Sequence, residues 1–296
     1  MTSHDAPQQD SLARLHAGGL RLEGVSVAGQ QTFVMLPELS ISFDIGTCPP
    51  PVLAADTIAL THGHADHAAG LLYYMAQRYR TRMGPGTVVC PPPLTDAIAQ
   101  LARCGAQLEG HTTPVHVVGL PPDAIHDLGN GHRLRGFETH HTVPSTGFLI
   151  EHAQRDEQGE GPCDDRPLAA YTGDTTWGPC FQREDVLAAR VLITECSFFH
   201  RAYRQSARHG GHLHLDHIRA LMDRSDAEAV VLTHLPRQLT AARAKKILLH
   251  TLPRRHHGRL FLLMDHCIAA PDPVAVSAKA QAASRLRPRR TGHRSA

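Results

Sequence analysis

The sequence predicts an α/β fold in which helices are layered on sheets. Three observations predict it. Short apolar, partly β-branched segments recur at Thr57–Leu60, Leu168–Thr172, Val191–Thr194 and Ala229–Thr233, and such runs bounded by turn residues read as strands. Helical stretches at Leu71–Tyr79 and Leu94–Cys104 alternate with strands, which argues layering. The later strands run into Asp174, Glu195 and His234, and the first runs into a histidine cluster. Strands that end at one edge in such residues point to a site built on strand ends.

Taken in order, Leu20–Val27 and Thr32–Asp44 alternate enough for two or three antiparallel strands, with Pro37-Glu38 as a turn. Thr47-Cys48-Pro49-Pro50-Pro51 breaks the structure. Asp44, just before it, has two readings: it caps that turn, or it hydrogen-bonds a ligand histidine. Gly84-Pro85-Gly86 ends the helix that starts at Leu71. Thr87–Cys90 and Val115–Leu120 read as strands. Leu134–Thr139 leads through His140-His141 to a strand at Phe148-Leu149-Ile150. Residues 152–167 are polar with Gly and Pro and read as an exposed loop. The expected domain spans residues 1–270. From Pro271 the chain is rich in Ala, Ser and Arg, without apolar periodicity, and reads as a disordered basic tail at 271–296.

The chain is organised around Thr61-His62-Gly63-His64-Ala65-Asp66-His67. Four metal-competent side chains fall between an apolar strand and a helix. In extended backbone, residues two apart point to the same side, so His62 and His64 can grip one ion together. Asp66 and His67 follow the turn and reach toward a second. Imidazole with carboxylate suits zinc, and manganese or iron also fit. The chain has 23 His, so a His-rich surface turn is the bland alternative. A second H-x-H-x-D-H, His212 to His217, has polar, Arg-rich sequence before it and no strand. Context favours the first copy.

Composition narrows the class. Apolar content of 42% and charged content of 20% are ordinary for a globular protein. No apolar run approaches the roughly 18 residues of a membrane span. The N-terminus is polar and lacks an apolar signal core, so the expected location is cytoplasmic. Seven Cys without a C-x-x-C argue against a disulfide framework or a Cys-type zinc site. A net charge of +2 argues neither for nucleic acid nor against it.

Together these segments resemble the metallo-β-lactamase superfamily, and within it the ribonuclease Z (tRNA 3′-processing endonuclease) family, short form. FDIGTCP (43–49), THGHADHAAGL (61–71), FETHHTVPSTGF (137–148), YTGDT (171–175), VLITECSFF (191–199), GHLHLDHI (211–218) and VVLTHLPRQ (230–238) carry the likeness. The resemblance covers roughly residues 20 to 265. It implies a four-layer αββα sandwich. It implies that His62, His64 and His141 hold one Zn2+ and Asp66, His67 and His234 the other, with Asp174 bridging. The ligand falls immediately before x-Val-Pro in the family pattern, which selects His141 over His140. His212, not His214, falls at the catalytic histidine, and Glu195 would orient it.

The activity so implied is removal of 3′ trailers from precursor tRNA by metal-hydroxide attack on phosphorus. Asp66 would also accept the nucleophile's proton, and His212 would protonate the leaving oxygen. Two divalent ions, two aspartates and a hydroxide leave one net positive charge, suited to a phosphodiester. A homodimer is expected by resemblance. Three departures stand out. The usual Glu-Ala/Ser-Thr-Phe of the family is Glu195-Cys196-Ser197-Phe198 here. The last ligand is followed by His234-Leu235-Pro236-Arg237-Gln238 rather than an H-F-S-x-R-Y run. The long Gly/Pro-rich basic insertion that many members use to clamp tRNA is not seen. The alternatives are a hydrolase of small phosphodiesters or other esters, and a non-catalytic metal- or RNA-binding protein.

Overall fold

The computed structural model describes residues 12–153 and 165–266. Two seven-stranded mixed sheets form the centre. The first follows chain order: β1 Ala13–Ala17, β2 Leu20–Val27, β3 Gln31–Leu36, β4 Ile41–Phe43, β5 Thr57–Ala59, β6 Gly86–Cys90 and β7 Val115–Gly119. Its first four strands pair antiparallel, and β4 to β7 pair parallel. The second sheet repeats the scheme. β8 Ile125–Asp127, β9 His132–Glu138, β10 Thr146–His152 and β11 Ala169–Tyr171 pair antiparallel. β12 Val191–Glu195, β13 Ala229–Thr233 and β14 Leu260–Leu262 extend it in parallel.

Period-two alternation assigns each strand face to a layer. Val34, Phe43, Phe148, Tyr171, Ile193, Ala229 and Val231 are buried in one core shared by both sheets. Their sequence neighbours Phe33, Leu149, Leu192 and Val230 face the other way, under helices. α1 Pro50–Leu53, α2 Ala65–Ala68, α3 Leu71–Arg80 and α4 Thr95–Glu109 belong to the first half. There Leu71, Tyr74, Met75 and Ile98 pack with Ile58 and Val88. α5 Glu184–Ala188, α6 Arg204–His209, α7 Leu215–Arg224 and α8 Ala241–Thr251 belong to the second. Val186, Ile218, Leu221 and Leu248 pack there with Leu192 and Leu232. The result is the four-layer αββα sandwich.

Several boundaries differ from the sequence expectation. α4 continues five residues past Cys104, to Glu109, and is capped by Gly110. That glycine stops it in left-handed conformation at φ +68°, where a side chain would be strained. β8 and β14 have three residues each, too few to show alternation. Pro37–Leu39 forms one 3-10 turn, as its proline favours. Most of the expected 152–167 loop and all of the 271–296 tail lie outside the described residues. None of the described helices is long and apolar enough to cross a membrane.

Candidate metal centre

The parallel halves of the two sheets deliver their C-terminal ends to one edge. β5 releases Thr61 and His62, β11 leads to Asp174, β12 ends on Glu195 and β13 leads to His234. Two local contacts lock the halves together. Leu235 N donates to Ser26 O, and Ala28 N donates to Leu235 O. Gly173 permits close approach at φ +59°, since a Cβ there would lie 2.7 Å from the Thr61 side chain.

Three imidazoles converge first. His62 Nε2 and His141 Nε2 each lie 3.1 Å from His64 Nδ1. Ligand nitrogens of a tetrahedral zinc, at about 2.0–2.1 Å from the ion, sit roughly 3.3 Å apart. The second group is Asp66, His67 and His234, with His234 Nε2 3.4 Å and His67 Nε2 3.7 Å from Asp66 Oδ2. Asp174 lies between the groups. Its Oδ2 is 4.0 Å from His62 Nε2, 3.4 Å from His67 Nε2 and 3.1 Å from His234 Nε2.

Four of the ligand imidazoles are aimed by the bond their other nitrogen makes. His62 Nδ1 donates to the Thr61 hydroxyl at 3.0 Å, and His141 Nδ1 donates to Gly211 O at 2.9 Å. His234 Nδ1 donates to Ser197 Oγ at 2.7 Å. His67 Nδ1 donates to Asp44 Oδ2 at 2.8 Å. Asp44 is fully buried at φ +56° and also accepts from Thr61 N and Tyr171 Oη. Of its two readings, the structure therefore favours histidine support over a turn cap. Gly29 N, in the turn after β2, holds Asp66 Oδ2 at 2.8 Å.

These donors fit a pair of divalent cations. The decisive atom is His67 Nε2, which is buried 3.4 Å from Asp174 Oδ2 and, among the described residues, makes no well-formed hydrogen bond. Such an atom is costly unless a metal or proton serves it. Burial lowers the His67 pKa, but Asp174 and Asp44 raise it by more, so the net shift is upward. Burial, reinforced by His67, pushes His62 down to about 2, leaving a neutral ring ready to ligate. Burial likewise lowers His141. Asp174 is lowered: burial opposes its charge, and His234 and His67 more than offset that.

His212 lies against the ligand groups, close enough to share an ion with His141 and Asp174, but is held by Glu195. Its Nδ1 is 2.8 Å from Glu195 Oε1 and 3.8 Å from Asp174 Oδ2. Burial opposes its charge, yet Glu195 and Asp174 raise it to about 9. Glu195, His212 and His234 also lie close enough to share an ion. Glu195 is already engaged: Oε1 takes Thr175 N and His212, and Oε2 takes the Ser197 hydroxyl. The hydrogen-bonding assignment therefore prevails.

The rest of the second H-x-H-x-D-H builds a helix start. His214 Nδ1 accepts from Asp216 N, and His217 Nδ1 accepts from His214 N, a reciprocal cap on α7. Asp216 pairs with Arg204. His140 lies outside the cluster beside Glu138, with its side chain 45% exposed. Sequence reasoning missed Ser197, Thr61 and Gly29. Ser197 had a signal, because it stands two residues beyond Glu195.

Two sheets packed face to face, with histidines and aspartates converging at one edge, define a metal-dependent hydrolase. The chain belongs to the beta-lactamase superfamily, whose domain description matches residues 47–235. Among its curated relatives is a tRNase Z of Arabidopsis thaliana, 27% identical over 267 residues, covering 83% of this chain and 95% of the relative. A chloroplastic tRNase Z of the same plant is 30% identical over 235 residues, 72% of this chain and 66% of the relative. Human short-form tRNase Z has a similar fold, with TM-score 0.58 and 18% identity over 88% of this chain and all of that one (100%).

Proposed function

We propose that this protein is a zinc-dependent endoribonuclease that removes 3′ trailers from precursor tRNA. The observation that carries the proposal is a hydrogen-bonded acid, Glu195–His212, set 3.8 Å from the aspartate between the two ligand groups. The names of the curated relatives support the substrate. His62, His64 and His141 would hold one ion, Asp66, His67 and His234 the other, and Asp174 both. Bound there, the ions would supply a nucleophilic water at neutral pH and offset phosphate charge.

The chain's own residues divide the remaining work. Asp66, anchored by Gly29 N, accepts the proton of the attacking water. His212 donates a proton to the leaving oxygen through Nε2, because Glu195 occupies Nδ1. Glu195 keeps that imidazole charged and oriented. Ser197 ties Glu195 to the ligand His234, so acid and metal site share one scaffold.

A second reading is a hydrolase of small phosphodiesters, favoured by the lack of a long basic Gly/Pro-rich insertion in the sequence. Cleavage of a 3′-extended precursor tRNA, run beside a small chromogenic phosphodiester and a chelator control, separates the two. Chelator-sensitive cleavage after the discriminator nucleotide supports the first. Turnover of the small substrate alone supports the second.

A further inference from the structure

A cavity of about 840 Å³ adjoins the centre, with Ser197 in their shared wall. Its size falls within the roughly 300–1,000 Å³ of sites that hold a small organic group. Phe198, Tyr203, Pro236, Arg243 and Ile247 are among the residues that line it. It opens beside the acid, since the Phe198 ring centre is 6.1 Å from that of His212 and 6.4 Å from that of Tyr203. Tyr203 is 55% exposed and is thus a large ring left open to solvent. Among the described residues no acid lines this cavity, and the segment bearing Tyr203 also carries Arg201, Arg204 and Arg208.

We infer that this cavity holds the unpaired nucleobase of the nucleotide whose oxygen leaves, stacked on the exposed Tyr203 ring with Phe198 beside it. A base has a flat apolar face for the Tyr203 ring and a polar edge that His200 and Gln238 can meet. It arrives on an anionic backbone that Arg243 can neutralise. Because Phe198 contacts both the cavity and His212, seating the base also sets which phosphodiester faces the acid. The inference rests on the ribonuclease reading and extends it to the register of cleavage.

The test uses the full metal-loaded chain and two precursor tRNAs, one normal and one abasic at the nucleotide preceding the cut. The wild type should prefer the normal precursor in kcat/KM by roughly 5- to 150-fold, the range of one base–aromatic stack. Tyr203→Ala should erase that preference mainly through KM. Arg243→Gln should instead weaken both precursors alike and flatten the salt dependence of binding. A second readout needs no catalysis. In an RNA carrying 2-aminopurine at that nucleotide, fluorescence should be quenched on binding metal-free protein, and Tyr203→Ala should abolish the quench. Normal cleavage with no base preference and a quench unchanged by Tyr203→Ala overturns the cavity and leaves the ribonuclease reading intact. A Tyr203-dependent quench without precursor cleavage keeps the cavity and overturns the tRNA reading. No binding of either RNA overturns both.

Discussion

His67 donates from Nδ1 to Asp44 Oδ2 at 2.8 Å, while its Nε2 lies buried 3.4 Å from Asp174 Oδ2, with no well-formed hydrogen bond among the described residues. One imidazole thus spans a satisfied bond and an unsatisfied one. The satisfied side fixes the ring, and the open side faces Asp66 and Asp174. Such an arrangement is worth its burial only when a cation completes it.

Asp44→Asn should therefore weaken metal binding without touching a ligand. The expected loss is about 10- to 100-fold in affinity. Competition with a chromophoric chelator measures it. Affinity equal to wild type would remove Asp44 from the support of the centre.

His212→Ala should cut turnover of a phosphodiester with an alkyl leaving group by about 100- to 10,000-fold, the range of a lost general acid. Metal content should stay at the wild-type level. Equal falls in both would make His212 a ligand.

The protonation of His212 also reports on Glu195. Its pKa, raised to about 9, means the folded protein holds this proton more tightly than the unfolded chain. Metal-free protein gains stability from it below the ordinary histidine value of 6.5 and loses that gain as pH rises toward 9. Glu195→Gln should lower the His212 pKa, as read by NMR titration of metal-free protein. An unmoved titration would sever the pair.

His214→Ala tests the division of the second histidine motif. The lost cap on α7 should cost about 1 kcal/mol of stability in urea unfolding. Metal content and turnover per folded molecule should persist. A loss of bound metal would return His214 to the centre.

Asp185 governs acid stability away from the site. Arg135 and Arg183 each approach its Oδ2 to 2.8 Å, joining β9 to α5. Burial opposes its charge, but both arginines lower its pKa to about 2. Its contribution is present above the ordinary aspartate value of 3.8 and fades as pH falls toward 2. Asp185→Asn should cost on the order of 1 kcal/mol at pH 6, since the pair is partly solvated. The variant and wild type should converge near pH 2, as followed by urea midpoints.

Much of this molecule was legible along the chain. Thr57–Ala59, Val191–Glu195 and Ala229–Thr233 announced themselves because buried parallel strands are continuous apolar runs. β1 shows a clear alternation of buried and exposed residues, ARLHA, which the sequence reading passed over. Asp44 illustrates a different limit. Its place before a proline run is equally that of a turn cap, and only its partners Thr61, His67 and Tyr171 separate the readings.

By itself the sequence determined the layered α/β class and the positions of His62, His64, Asp66 and His67 relative to one another. Local backbone geometry links residues that are two or three apart, so spacing alone carries that information. Only the tertiary structure decided that His214 and His217 of the second motif cap α7. It brought His141 against His64, Asp174 between the groups, and Ser197 between Glu195 and His234. Those contacts cross from one sheet to the other or between neighbouring strands, and packing of the two sheets, not chain spacing, sets such distances.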